Sequence, residues 1–253
     1  MDPITSLVTG HASGKLIDRI STAFRTNVIE RWTRRRANQF FDQFCREVEL
    51  EMSGHRSDEL DHLFEQMLED EHASELLFDA YRRVSLSRSK TIGPRFIGVL
   101  TAQLALGNRE PSSAEESMLF AAEELDDDEL LSFARFVAET RQQLADDSNT
   151  DVSIDRGIVR IKWMEERFES YWNTPADTSI SPLNFHDSHG SWAVKMSTRD
   201  ILRTDITERT EYLEMETGRQ STRYVSFWVV TSDTYFPFAD IISRVAEHRD
   251  ITM

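Results

Sequence analysis

Apolar residues in the first 145 positions recur at intervals of three and four, and no glycine or proline interrupts them between Gly14 and Gly54. A pattern of that period and length fits an amphipathic helix and little else. Leu16, Ile17, Ile20, Phe24 and Val28 form one stripe behind a capping Ser13. Trp32, Phe40, Phe41, Phe44 and Val48 continue it, so the spacing predicts one long helix, or two nearly continuous ones, over about 14–52. Ser57 caps a short helix with Leu60, Leu63, Phe64, Met67 and Leu68, and another holds Ala73, Leu76, Leu77, Ala80, Tyr81 and Val84. Proline suits the first position of a helix, where its missing N–H would have no partner. Pro94 is therefore expected to open a helix running to Leu106, with Gly107-Asn108 ending it. Ser112 with Glu115, or Ser113 with Glu116, forms a capping box, and Asp126 to Asp128 precede a helix carrying Leu130, Leu131, Phe133, Phe136 and Val137.

The pattern changes after ADDSNTD, residues 145 to 151. Ile154, Ile158, Ile161, Met164, Phe168 and Trp172 still read as helical, SWAVKMS alternates like a strand, and residues 212–231 read as a hairpin turning at Gly218-Arg219-Gln220-Ser221. Val225, Phe227 and Val229 alternate with Ser226, Trp228 and Val230, and both sets are largely apolar, which suits a covered central strand. A last helix carries Ile241, Ile242 and Val245. The expected fold is mainly α with an α+β C-terminal part. An antiparallel helical bundle spans 1–145, a small antiparallel sheet with a terminal helix spans 146–253, and a linker covers about 145–153.

Charge narrows function. The formal net charge is −16, which repels phosphate at long range and disfavours nucleic acid and anionic membranes. No apolar run is long enough to span a bilayer, and MDPITSLVTGHASGK lacks the features of a signal peptide. The single cysteine, Cys45, cannot form an internal disulfide and sits on an apolar stripe, as a small hydrophobe would. Arginine outnumbers lysine 25 to 4. A cytoplasmic protein from a GC-rich bacterium is expected.

Against this acidity, no Asp or Glu lies between Asp79 and Glu110, while Arg82, Arg83, Arg88, Lys90, Arg95 and Arg109 gather there. With Thr91, the residues Arg82, Arg83, Arg88, Lys90 and Arg95 are the candidates for binding an anion or a protein partner. An anion would use free N–H groups where the next helix opens. The glycines of a phosphate-cradling loop are missing, however, and Ser87-x-x-Lys90 lacks the companion motifs of a penicillin-binding site. The packing account pairs these cations with the nine carboxylates from Glu110 to Glu129, a block with no Lys or Arg. It is preferred, together with a partner-facing surface.

Three weaker candidates complete the set. Arg31, Arg34, Arg35 and Arg36 surround Trp32 and could contact nucleic acid, but they spread over more than one helix face. His186 and His189 could bind a metal, but no further ligand pair supports them. Asp147, Asn149 and Asp151 have calcium-loop spacing, but Val152 and Ile158 stand where the glycine and the bidentate glutamate belong. The expected function is thus a non-enzymatic interaction or regulatory protein. It binds a protein partner, or a second copy of itself, through charge-segregated helices, without catalytic residues or cofactor. The alternatives are a small enzyme or binding protein for a phosphate-bearing ligand, at turn 87–95 or at His186 and His189, and nucleic-acid binding through Arg31 to Arg36.

Overall fold

The computed structural model describes residues 31–51, 69–146, 150–171, 184, 187, 189–215 and 218–247. The expected helical stretch at 14–30 and the short helix after Ser57 lie outside the described residues. The chain forms two compact units, one of residues 1–131 with 240–253 and one of 132–239. Seven α-helices and one four-stranded antiparallel sheet are described. Among the described residues, no helix is long and apolar enough to cross a membrane.

In the first unit, α1 (Arg31–Glu51), α2 (Glu71–Leu86), α3 (Ile92–Leu106) and α4 (Ser113–Glu124) form a bundle. It is joined by the start of α5 (Asp127–Leu144) and the end of α7 (Phe236–Glu247). Helix α3 is the centre. Its only charge is Arg95, and Ile92, Phe96, Ile97, Val99, Leu100, Ala102 and Leu104 are all buried. A helix apolar on every side needs cover on every side. Helix α1 supplies Ala37, Phe40, Phe44 and Val48, spaced to make one stripe. Gly98 lets the two helices close up, since a Cβ there would sit 2.6 Å from the Phe40 carbonyl oxygen.

Helix α2 is capped by Asp70, whose Oδ1 accepts from Ala73 N–H at 2.8 Å. Helix α4 opens with the Ser112–Glu115 capping box, the first of the two expected. Helix α3 begins two residues earlier than expected, at Ile92, so Pro94 is its third residue. Proline is tolerated there because first-turn N–H groups have no intrahelical acceptor. The earlier N–H groups are held by side chains from elsewhere in the chain, described below.

In the second unit the strand order is β1-β2-β4-β3, with β1 at Val152–Asp155, β2 at Ile158–Tyr171, β3 at Arg203–Met215 and β4 at Gly218–Ser232. In place of the helix expected from Ile154 to Trp172, the described residues up to Tyr171 form two strands. Arg156 and Gly157 have φ of 50° and 79°, the left-handed pair that a two-residue hairpin turn requires. Past that turn, a β-bulge between Lys162 and Met164 shifts the register by one residue. The shift brings Ile161 and Met164, three positions apart, to the same face, whereas Ile158 and Ile161 precede it and lie on opposite faces of the strand.

SWAVKMS, which alternates, is the helix α6 (Ser191–Ser197), with Trp192, Ala193 and Met196 buried. Seven residues are too few for the two periods to separate. The hairpin is present, but Met215 pairs with Gly218, so Gly218 to Ser221 belong to β4 rather than to the turn. Strand β4 is central as expected, and Val225, Phe227 and Val229 are buried on one face.

Candidate functional site

The stretch Ser87-Arg88-Ser89-Lys90-Thr91 links α2 to α3 in the first unit. Its side chains alternate. Ser87, Ser89 and Thr91 are 1%, 0% and 6% exposed, whereas Arg88 and Lys90 stand in solvent. The buried hydroxyls tie the turn down. Ser87 Oγ donates to the Ala122 carbonyl at 3.0 Å, and Arg88 N–H donates to the Glu123 carbonyl at 2.9 Å. These two acceptors lie in the last turn of α4, where carbonyls lack intrahelical donors. Gly93 permits the approach, because a Cβ there would meet Ser89 Cβ at 2.7 Å and the Ala122 oxygen at 2.8 Å.

Asp127 completes the arrangement. Its Oδ1 accepts from Thr91 N–H at 3.2 Å, from Ile92 N–H at 2.9 Å and from Ser89 Oγ. Ser89 Oγ in turn accepts from Gly93 N–H at 2.6 Å. The N-terminus of α3, which a bound anion would use, is thus filled by a carboxylate of the chain itself. Arg36 joins from α1: burial lowers its guanidinium, and the Asp127 charge works against that.

The other basic candidates are separated from this turn by their own partners. Arg83 is 5% exposed, donates from Nε to Asp79 Oδ2 at 2.9 Å, and lies 3.7 Å from Glu116 and 4.3 Å from the Phe120 ring centre. Its Nη1 is buried with no hydrogen-bond partner among the described residues, but two carboxylates already balance its charge. Arg82 donates to Asp79 Oδ1 at 2.8 Å. Burial pushes the Asp79 carboxyl up, but the bonds from Arg83 and Arg82 outweigh it and hold the group below its ordinary value. Arg95 Nη1 donates to the Val245 carbonyl at 3.1 Å, in the last turn of α7. Arg88 lies beyond the end of α2, which stops at Leu86. Only Arg88 and Lys90 of the set project outward from the turn.

Elsewhere, Arg35 is exposed on α1, and the side chains of Arg31 and Arg34 lie outside the described residues, as does His186. His189 packs against Trp163, Phe136 and Trp192, with ring centres 4.2, 6.0 and 6.2 Å away. Burial lowers its imidazole. Asp151 pairs with Lys162 Nζ at 2.9 Å, while Val152 and Ile158 open strands. Among the described residues, no three His, Cys, Asp or Glu side chains gather where a metal could be held. Burial pushes the Cys45 thiol up to about 12, so it stays protonated at neutral pH.

Asp127 is the site residue that sequence reasoning missed, together with the buried, anchoring role of Ser87 and Ser89. Asp127 reads locally as a favourable acid at the start of α5 and gives no sign of its partners 35 and 36 positions away. The strict alternation of hydroxyl and cation in SRSKT is the signal that would have found the serines. The chain matches no family model, and no curated protein or solved structure matches it.

Proposed function

We propose that the chain is an interaction protein that docks an acidic segment of a partner protein on the outer side of the Ser87–Thr91 turn. The observation that carries this reading is the alternation there: three buried groups anchor the backbone and two cations face out. A turn held by Ala122, Glu123 and Asp127 has little conformational freedom left to lose on binding. Arg88 offers a planar fork for carboxylate and Lys90 a mobile point charge. The net charge of −16 opposes an acidic partner at long range, so specificity rests on close contact rather than on steering. A cytoplasmic, bacterial setting belongs to the same proposal, supported by the lone cysteine and the excess of arginine over lysine.

Comparative capture tests the reading. The wild-type chain, an R88E/K90E variant and an R35E/R46E variant with the same charge change on α1 are used as baits in parallel. A protein held by the wild type and by R35E/R46E, but lost from R88E/K90E, is the expected result. Identical recovery by all three baits would contradict it.

A further inference from the structure

Strand β3 is one of the two edge strands of the sheet among the described residues, β1 being the other. Which of its backbone groups face outward follows from the register. Asp155 and Ile158 flank a two-residue turn and are therefore a hydrogen-bonded pair, with the partners alternating from there. Lys162 N–H, donating to the Asp151 carbonyl at 2.6 Å, keeps that phase. Carried across β2 and β4, it turns Arg203, Asp205, Thr207 and Arg209 towards β4, and Thr204, Ile206, Glu208, Thr210 and Tyr212 outward. Ile206 agrees, because its N–H donates to Asp205 Oδ1 at 2.9 Å. That bond shields the start of the edge. From Thr207 to Leu213 every side chain is exposed, and an edge of this kind is a template for another strand.

We propose that the strand it receives is β3 of a second copy of this chain, antiparallel across a two-fold axis at Thr210. In that register Arg209 of each copy stands opposite Glu211 of the other, and Thr210 faces Thr210. An axis at Thr207 also sets opposite charges together, Arg209 with Asp205 and Glu211 with Arg203, but its central bonds need the Ile206 N–H, which Asp205 Oδ1 already holds. The registers centred elsewhere between Glu208 and Tyr212 are worse. An axis at Glu208 sets Glu208 against itself and Asp205 against Glu211. An axis at Arg209 joins two arginines, one at Glu211 joins two carboxylates, and one at Tyr212 leaves Arg209 facing Met215. Like charges directly opposite one another destabilise a ladder, and opposite charges support it. Arg209 is also preset, 3.3 Å from Glu211 of its own strand and 4.7 Å above the Tyr224 ring. The pairing is isologous, so it closes as a dimer. It is independent of the docking turn.

The test is light scattering of the full chain after size exclusion, over a range of concentrations. The wild type is expected to dimerise. R209E and E211R each set like charges across the axis twice, and each is expected to weaken the dimer about tenfold or more while keeping the wild-type circular dichroism. An equimolar mixture of R209E and E211R is expected to form a heterodimer, because the reversed charges then face one another. R88E/K90E is expected to dimerise as the wild type does, which separates this inference from the docking reading. A wild-type chain that stays monomeric, a dimer indifferent to both reversals, or folded variants that fail to pair when mixed would overturn the proposal.

Discussion

Asp127 caps a helix it does not belong to: its Oδ1 accepts from Ile92 N–H, 35 residues earlier, at 2.9 Å. The same oxygen holds Thr91 N–H and Ser89 Oγ, so one carboxylate fixes the start of α3 and the turn before it. Removing it leaves several donors without an acceptor, one of them on a fully buried serine. Asp127→Ala is expected to lower stability by about 2 to 3 kcal/mol, read from urea unfolding, since caps and buried unsatisfied donors each cost about 1 kcal/mol or more.

Gly98 sets two effects against each other. Alanine is the better helix former by roughly 1 kcal/mol. The new methyl would however stand 2.6 Å from the Phe40 carbonyl oxygen, which is backbone and cannot swing away. Overpacking costs about 1 to 3 kcal/mol, so Gly98→Ala is expected to destabilise, and thermal unfolding will show a lower midpoint.

Glu47 is 1% exposed and accepts from Arg244 Nη2 at 2.8 and 3.0 Å and from Gln103 Nε2 at 3.0 Å. Taking away the arginine strands a buried charge on a single amide. Arg244→Ala is expected to cost about 2 to 3 kcal/mol, less than for a wholly buried pair because Arg244 is itself half-exposed. Glu47→Gln keeps an acceptor and sheds the charge, so denaturant melts are expected to show the smaller loss for that variant.

Acid sensitivity follows from Glu115. Hydrogen bonds from Arg109 hold its carboxyl down to about 2, against an ordinary value of 4.5. A depressed carboxyl stabilises the folded state above its unfolded value, and that contribution is lost as pH falls through the folded one. The stability difference between wild type and Glu115→Gln is therefore expected to be constant above 4.5 and to close on descending towards about 2. Denaturant titrations at stepped pH will read it.

What could be seen in the sequence was what is local. The Ser112–Glu115 box, the buried stripe of α1 and the centrality of β4 each have a signature within one element. Of strand β3 only the end from Tyr212 had one, as the first arm of the hairpin; its earlier part had none, because Thr207 to Glu211 are exposed on both faces and no alternation marks which way they point. β2 was misread because its apolar residues fall at three- and four-residue intervals without sharing one face, and the bulge brings only Ile161 and Met164 together. The site was half legible. The excess of cations at 82–95 was plain, but their sorting into buried, paired and outward depends on Asp127, Glu116 and Val245, which only the fold brings near.

The central claim is that the turn presents Arg88 and Lys90 outward while Asp127 already fills the helix N-terminus beneath them. The most direct measurement is a nuclear magnetic resonance titration of the ¹⁵N-labelled chain with inorganic pyrophosphate, followed at the Thr91, Ile92 and Gly93 amides. The account predicts that these three resonances stay in place. Saturable shifts at all three would mean that the anion enters where Asp127 sits, and would contradict it.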